Sequence, residues 1–167
     1  MPEYFEISLI VDKKKHQKEY TKKHLINRYN LHEGKNHIES NKYPLLENRN
    51  VQVGIYEHAD TDFEEFCIGL PDYIFSRNTF KMQLQQLTDI VETCFKDCES
   101  ILFAVCSYEI NGYLIGDKKK IKDFDAEFLK RFPIVYSRDS HSQNPVITIT
   151  LEAQDIFSLN PFLPGLR

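Results

Sequence analysis

The chain has no tryptophan, only two methionines and six glycines among its 167 residues, and none of those glycines stands in a Gly-x-Gly-x-x-Gly or Walker arrangement. A phosphate-cradling loop of either kind needs backbone that glycine alone permits, so dinucleotide-binding and P-loop sites are excluded. The four cysteines, Cys67, Cys94, Cys98 and Cys106, contain no Cys-x-x-Cys pair, and the histidines show no His-x-x-x-His spacing. That removes the zinc-ribbon and zinc-helix patterns. Cys94 and Cys98 stand one helical turn apart, where two side chains project in parallel and rarely bridge. Four reduced, buried thiols are expected. No apolar run approaches the roughly 20 residues needed to span a bilayer, and no charged leader with an apolar segment opens the chain. The expected location is cytoplasmic, with no membrane partner. Positive charge is in deficit too: the net charge of −4 argues against a general nucleic-acid binder.

What is present is a good supply of core material, 41% hydrophobic residues with twelve Phe and nine Tyr, enough for a single domain over 1–167. The clearest architectural signal lies over 76–115. Phe80, Leu84, Leu87, Val91, Cys94 and Cys98 recur at steps of four and three, which predicts one apolar stripe along a helix capped by Ser76 or Asn78. A continuous apolar run, 101–106, then predicts a strand covered on both faces. Asn111-Gly112 accepts the positive φ angles of a type I′ turn and predicts a tight hairpin.

Elsewhere, Phe5, Ile7, Leu9 and Val11 alternate with Glu6 and Ser8, the pattern of a strand with one face in solvent. Residues 12–35 carry eight Lys/Arg against three Asp/Glu, a local excess of five positive charges, and are expected to form a mostly exposed helix. Residues 33–50 are polar and predict a long connection. Strands are expected over 51–56 and 63–70. A third helix carries Ile121, Phe124, Phe128 and Phe132 and ends at Pro133. Two more strands follow, at 134–136 and 146–151, and the tail 160–167 holds two prolines. This order predicts an α+β domain: a mostly antiparallel sheet with about three helices packed on it.

The sharpest charge feature is acidic. Between 51 and 75 stand Glu57, Asp60, Asp62, Glu64, Glu65 and Asp72, with no Lys or Arg, and they centre on the turn between two predicted strands. An EF-hand counted from Asp60 would need Gly and Glu where the chain has Glu65 and Pro71, so that motif is absent. Three uses remain: a solvated turn, a surface for a basic partner, or a metal-assisted hydrolase drawing on Glu57, His58, Asp60 and Asp62. Ser137-Arg138-Asp139-Ser140-His141 holds the residue types of a nucleophilic triad, but neighbours in one loop do not converge as a triad must. Cys67 and Cys106 fall in predicted core strands, where a thiol stays protonated. No catalytic residue, metal or cofactor is assigned.

In its profile the chain resembles the immunity proteins of bacterial polymorphic-toxin and contact-dependent inhibition systems. The likeness is one of class, carried by the acidic run 57–65 with Tyr56, Phe63 and Tyr73 around it. It implies a non-enzymatic protein that neutralises a cognate toxin, often a basic nuclease, by masking its active site. The partner-binding residues would then be Tyr56, Glu57, Asp60, Asp62, Glu64, Glu65 and Tyr73, with the carboxylates turned outward. The basic segment 13–28 departs from that profile and leaves open an acidic partner or self-association. An unrelated interaction or scaffold subunit is the blander alternative.

Overall fold

A computed structural model describes residues 5–15, 18–33, 45–47, 51–57, 60–70, 80–108, 124–129, 132–138 and 145–149. These build an eight-stranded sheet in the order β2-β3-β4-β5-β1-β6-β7-β8, with every neighbouring pair antiparallel. The strands are β1 (Phe5–Asp12), β2 (His32–Glu33), β3 (Leu45–Glu47), β4 (Gln52–Glu57), β5 (Phe63–Leu70), β6 (Ile101–Tyr108), β7 (Ile134–Arg138) and β8 (Pro145–Ile149). Three helices accompany them among the described residues: α1 (Lys18–Tyr29), α2 (Phe80–Asp97) and a short α3 (Ala126–Leu129). The α+β class read from the sequence is the observed one. No described helix is long and apolar enough to cross a membrane.

Alternation along β1 assigns its residues to two faces. Phe5, Ile7, Leu9 and Val11 meet Phe66, Ile68, Ala104, Cys106, Ile134 and Tyr136, and this layer is covered by Leu25 of α1 and by Leu87, Val91, Cys94 and Phe95 of α2. The period-3.6 stripe thus performs the burial its spacing implies. On the other face Ile10, Tyr56, Phe63, Cys67, Phe103 and Val105 pack against Phe124, Phe128 and Phe132. Phe124 meets Phe63 edge-on at 4.8 Å, and Phe128 stands 5.6 Å from both Phe124 and Phe132. Asp125 Oδ1 accepts from the Phe128 amide at 2.8 Å and starts the short helix that aligns these rings.

Covering both faces changes two expectations. Glu6 and Ser8 are buried rather than solvated, because β1 lies inside the sheet between β5 and β6 under a second layer of side chains. The connection expected over 33–50 contributes β3 and the second residue of β2, and these two strands pair with each other and extend the sheet beyond β4. The Asn111-Gly112 hairpin, the Ser76 and Asn78 caps, Ile121, residues 139–144 and the tail lie outside the described residues.

Local chemistry ends the helices. Asn30 takes φ 51°, the left-handed region that Asn tolerates better than most residues, and the Leu31 amide returns to the Ile26 carbonyl at 3.0 Å. That backbone return closes α1 and drops Leu31 into the core. At the end of α2, Arg138 of β7 donates through Nε to the Ile101 carbonyl at 2.7 Å. Its Nη2 donates to the carbonyls of Phe95 and Cys98 at 2.8 and 2.6 Å. All four cysteines are free and buried, as expected.

Candidate functional site

The β4–β5 turn is built by its backbone neighbours. The Thr61 hydroxyl donates to the Phe63 carbonyl at 2.9 Å, and the Lys13 amide donates to the Asp62 carbonyl at 3.1 Å. Lys13 Nζ lies 3.3 Å from the Thr61 hydroxyl. The β1–α1 turn is itself fixed by Asp12, whose carboxylate accepts from the Lys14 amide at 2.8 Å, an Asx turn. Two turns of opposite charge therefore stand side by side at one end of the sheet. Asp60 is exposed and Asp62 half-buried on one of them, and Lys14 and Lys15 are exposed on the other.

The remaining acidic residues are placed differently. Glu64 and Glu65 are buried, and Tyr56 is buried in the second core layer. The outward display expected of these carboxylates fails for a physical reason: β5 is an interior strand, flanked by β4 and β1 and covered on both faces. Glu57 lies opposite Glu64 in the β4–β5 ladder. His58 and Tyr73 lie outside the described residues. Among the described residues no group of three or more His, Cys, Asp or Glu could hold a metal ion.

Glu65 instead enters a polar cluster that strand reasoning missed. The Ser8 hydroxyl donates to a Glu65 carboxyl oxygen. The Cys67 thiol lies 3.8 Å from Glu6 Oε2 and 3.9 Å from Glu65 Oε1, so one thiol bridges two carboxyl groups. Buried polar groups are tolerated when hydrogen-bonded in this way. The available signal was Ile10, an apolar residue on the same alternation face as Glu6 and Ser8, which marks that face as buried.

A second feature comes from the basic segment. Lys23, His24, Asn27 and Arg28 of α1 line an open surface groove of about 670 Å³. At about 100° per residue the four cover an arc of about 140° on the helix, with Lys23 beside Asn27 and His24 beside Arg28 at the i,i+4 spacing. The His24 side chain is only 16% exposed, and its Nδ1 stands 3.6 Å from Asp97 Oδ2 of α2. Burial lowers the His24 pKa below its usual value, with Asp97 opposing that shift and Arg28 adding to it.

No family model, curated protein or solved structure matches the chain, so its residues are the only guide to what it does.

Proposed function

We propose that this chain is a binding protein, an immunity protein that neutralises a cognate bacterial toxin by covering its active site. The observation that carries the reading is the braced pair of turns. Asp60 and Asp62 are carried by a turn held to its neighbour through the Lys13–Asp62 and Lys13–Thr61 contacts. A partner then meets a surface whose ordering cost is already met, which is how rigid surfaces gain affinity. The adjoining Lys14 and Lys15 make the surface dipolar. The partner's patch is accordingly basic where it meets Asp60 and Asp62, and acidic or polar where it meets the lysine turn.

The test compares the full chain with its Asp60→Asn/Asp62→Asn variant as baits in extract of the source cell. The expected result is a basic domain that the parent chain retains at low salt and releases as ionic strength rises. Between about 0.01 and 1 M the screening length falls from about 30 to about 3 Å. The purified partner should associate with the variant about tenfold more slowly. Expressed alone it should arrest growth, and co-expression of the chain should restore it. An unchanged association rate removes the acidic turn from the mechanism, and a partner without toxicity removes the immunity reading.

A further inference from the structure

Of the positive charges over residues 12–35, Lys13, Lys14 and Lys15 enter the reading above, whereas Lys23 and Arg28 of α1 have no part in it and border an open groove. Lys23 and Arg28 are exposed on the rim with Asn27 between them, and His24 is largely buried in the wall. An ammonium and a guanidinium donate hydrogen bonds and accept none, while the carboxamide can donate two more. Such a set converges on oxygen atoms carrying negative charge. Asp97 of α2 faces the His24 ring at 3.6 Å. Two cations suit a dianion better than a carboxylate, which a single cation would neutralise. A phosphomonoester carries about −1.5 to −2 at neutral pH. The groove is open to solvent and, at about 670 Å³, holds far more than a bare anion fills.

We propose that this groove binds the phosphoryl group of a nucleotide-sized organic phosphate, with Lys23 and Arg28 paired to its oxygens and Asn27 donating an amide hydrogen bond. Arginine supplies the planar fork and lysine the compact charge of such sites. His24 reports the event. Its Nε2 is buried and has no hydrogen-bond partner among the described residues, and its Nδ1 faces Asp97. Around it stand Lys23 and Arg28 from its own helix and Asp97 from α2. A dianion beside Lys23 and Arg28 offsets their repulsion of the imidazolium and raises the pKa of His24.

The experiment titrates the full chain with adenosine monophosphate, ribose 5-phosphate, inorganic phosphate and a short single-stranded oligonucleotide. Calorimetry gives affinity, and proton NMR of the His24 ring gives its pKa with and without each probe. The expected result is that one or both organic phosphates bind more tightly than inorganic phosphate and raise the His24 pKa. The Lys23→Gln/Arg28→Gln variant should lose about a hundredfold in affinity, about tenfold for each charged hydrogen bond, and because Arg28 also stands 5.8 Å over the Tyr29 ring, Lys23→Gln alone, losing about tenfold, separates ligand loss from any loss of stability. Asn27→Asp should reject the ligand through like charge. No binding by either organic phosphate, or equal binding by the double variant, overturns the proposal. Inorganic phosphate binding as tightly as the organic phosphates reduces the groove to an adventitious ion site and also overturns it. An oligonucleotide that binds most tightly assigns the face to nucleic acid instead.

Discussion

Arg138 ties the last described turn of α2 to the sheet, and its removal gives the most direct test of how the layers are held. A helix leaves its last carbonyls without internal partners. Here the carbonyl of Phe95, inside α2, and those of Cys98 and Ile101, just beyond it, all accept from one guanidinium at 2.6–2.8 Å. The same group lies 4.9 Å from the centre of the Phe95 ring. Positive charge at a helix C-terminus is also favoured by the helix dipole. Burial lowers the Arg138 pKa, with Glu99 and Cys98 opposing that shift, yet a guanidinium stays charged at neutral pH. Hydrogen bonds to a charged group are worth about 1.5–3 kcal/mol each in isolation. Three that share one desolvated cation are worth less than their sum, and about 1 kcal/mol apiece gives about 3 kcal/mol for Arg138→Met. With a urea slope of about 2 kcal/mol per molar, the midpoint should fall by about 1.5 M. Arg138→Lys keeps the charge but not the fork, and should recover only about a third of the loss. A Met variant within about 0.5 kcal/mol of the parent, the error of such a comparison, would refute the clamp. So would a Lys variant as stable as the parent.

Two further outcomes follow from buried titratable groups. Burial pushes the Cys94 thiol up to about 12, with Cys98 beside it adding to the shift, and burial alone raises Cys106. At pH 8 a small thiol reagent should therefore label these two only as fast as the chain unfolds, while all four cysteines react in urea; rapid labelling of Cys94 or Cys106 in the native protein would contradict the burial. For His24 the folded pKa lies below the unfolded value, so the unfolded chain binds the extra proton in the interval between them. Its contribution to stability is complete above about 6.5 and is lost as pH falls through the lowered folded pKa. Urea midpoints measured across that range should show a smaller slope in His24→Gln, and an unchanged slope would exclude His24 as the source.

The sequence carried the fold further than the site. The α2 stripe was readable because helix geometry turns a spacing of three and four into one face, and Leu87, Val91, Cys94 and Cys98 are buried on it. β5 and β6 were readable because apolar and alternating runs of that length have few other uses. Two items were not. β3 owes its existence to pairing with β4, and β2 to pairing with β3, and no local pattern in strands of three and two residues encodes those registers. The burial of Glu6, Ser8, Glu64 and Glu65 depends on what covers the sheet, and part of that cover is Phe124, Phe128 and Phe132, far along the chain. Charge counted along a strand therefore misjudged exposure. Along α1 the expected exposure is met only in part: Lys23, Asn27 and Arg28 are exposed, while Thr21 and Leu25 are buried and His24 is largely so.

The polar cluster in the sheet bears on the same question from the other side. Two carboxyl groups buried at the β1–β5 pair are costly compared with apolar side chains of similar size, so stability alone does not account for them. Their positions tie them to register. Ser8 stands opposite Cys67 and Glu6 opposite Gly69, and the contacts run diagonally from Ser8 to Glu65 and from Cys67 to Glu6. A slip of one residue would send Glu6 and Ser8 among the apolar side chains packed under α1 and α2, while Ile7 and Leu9 would face Glu65. Every hydrogen bond in the cluster would be lost at once, so the neighbouring registers are penalised far more than they would be by a uniformly apolar interface. The same register places Asp12 opposite Phe63 and brings the Lys13 amide to the Asp62 carbonyl. The polar cluster in the sheet thus determines which charges stand together on the surface at its end. The arrangement of charge on that surface is set by four buried side chains that do not themselves reach it.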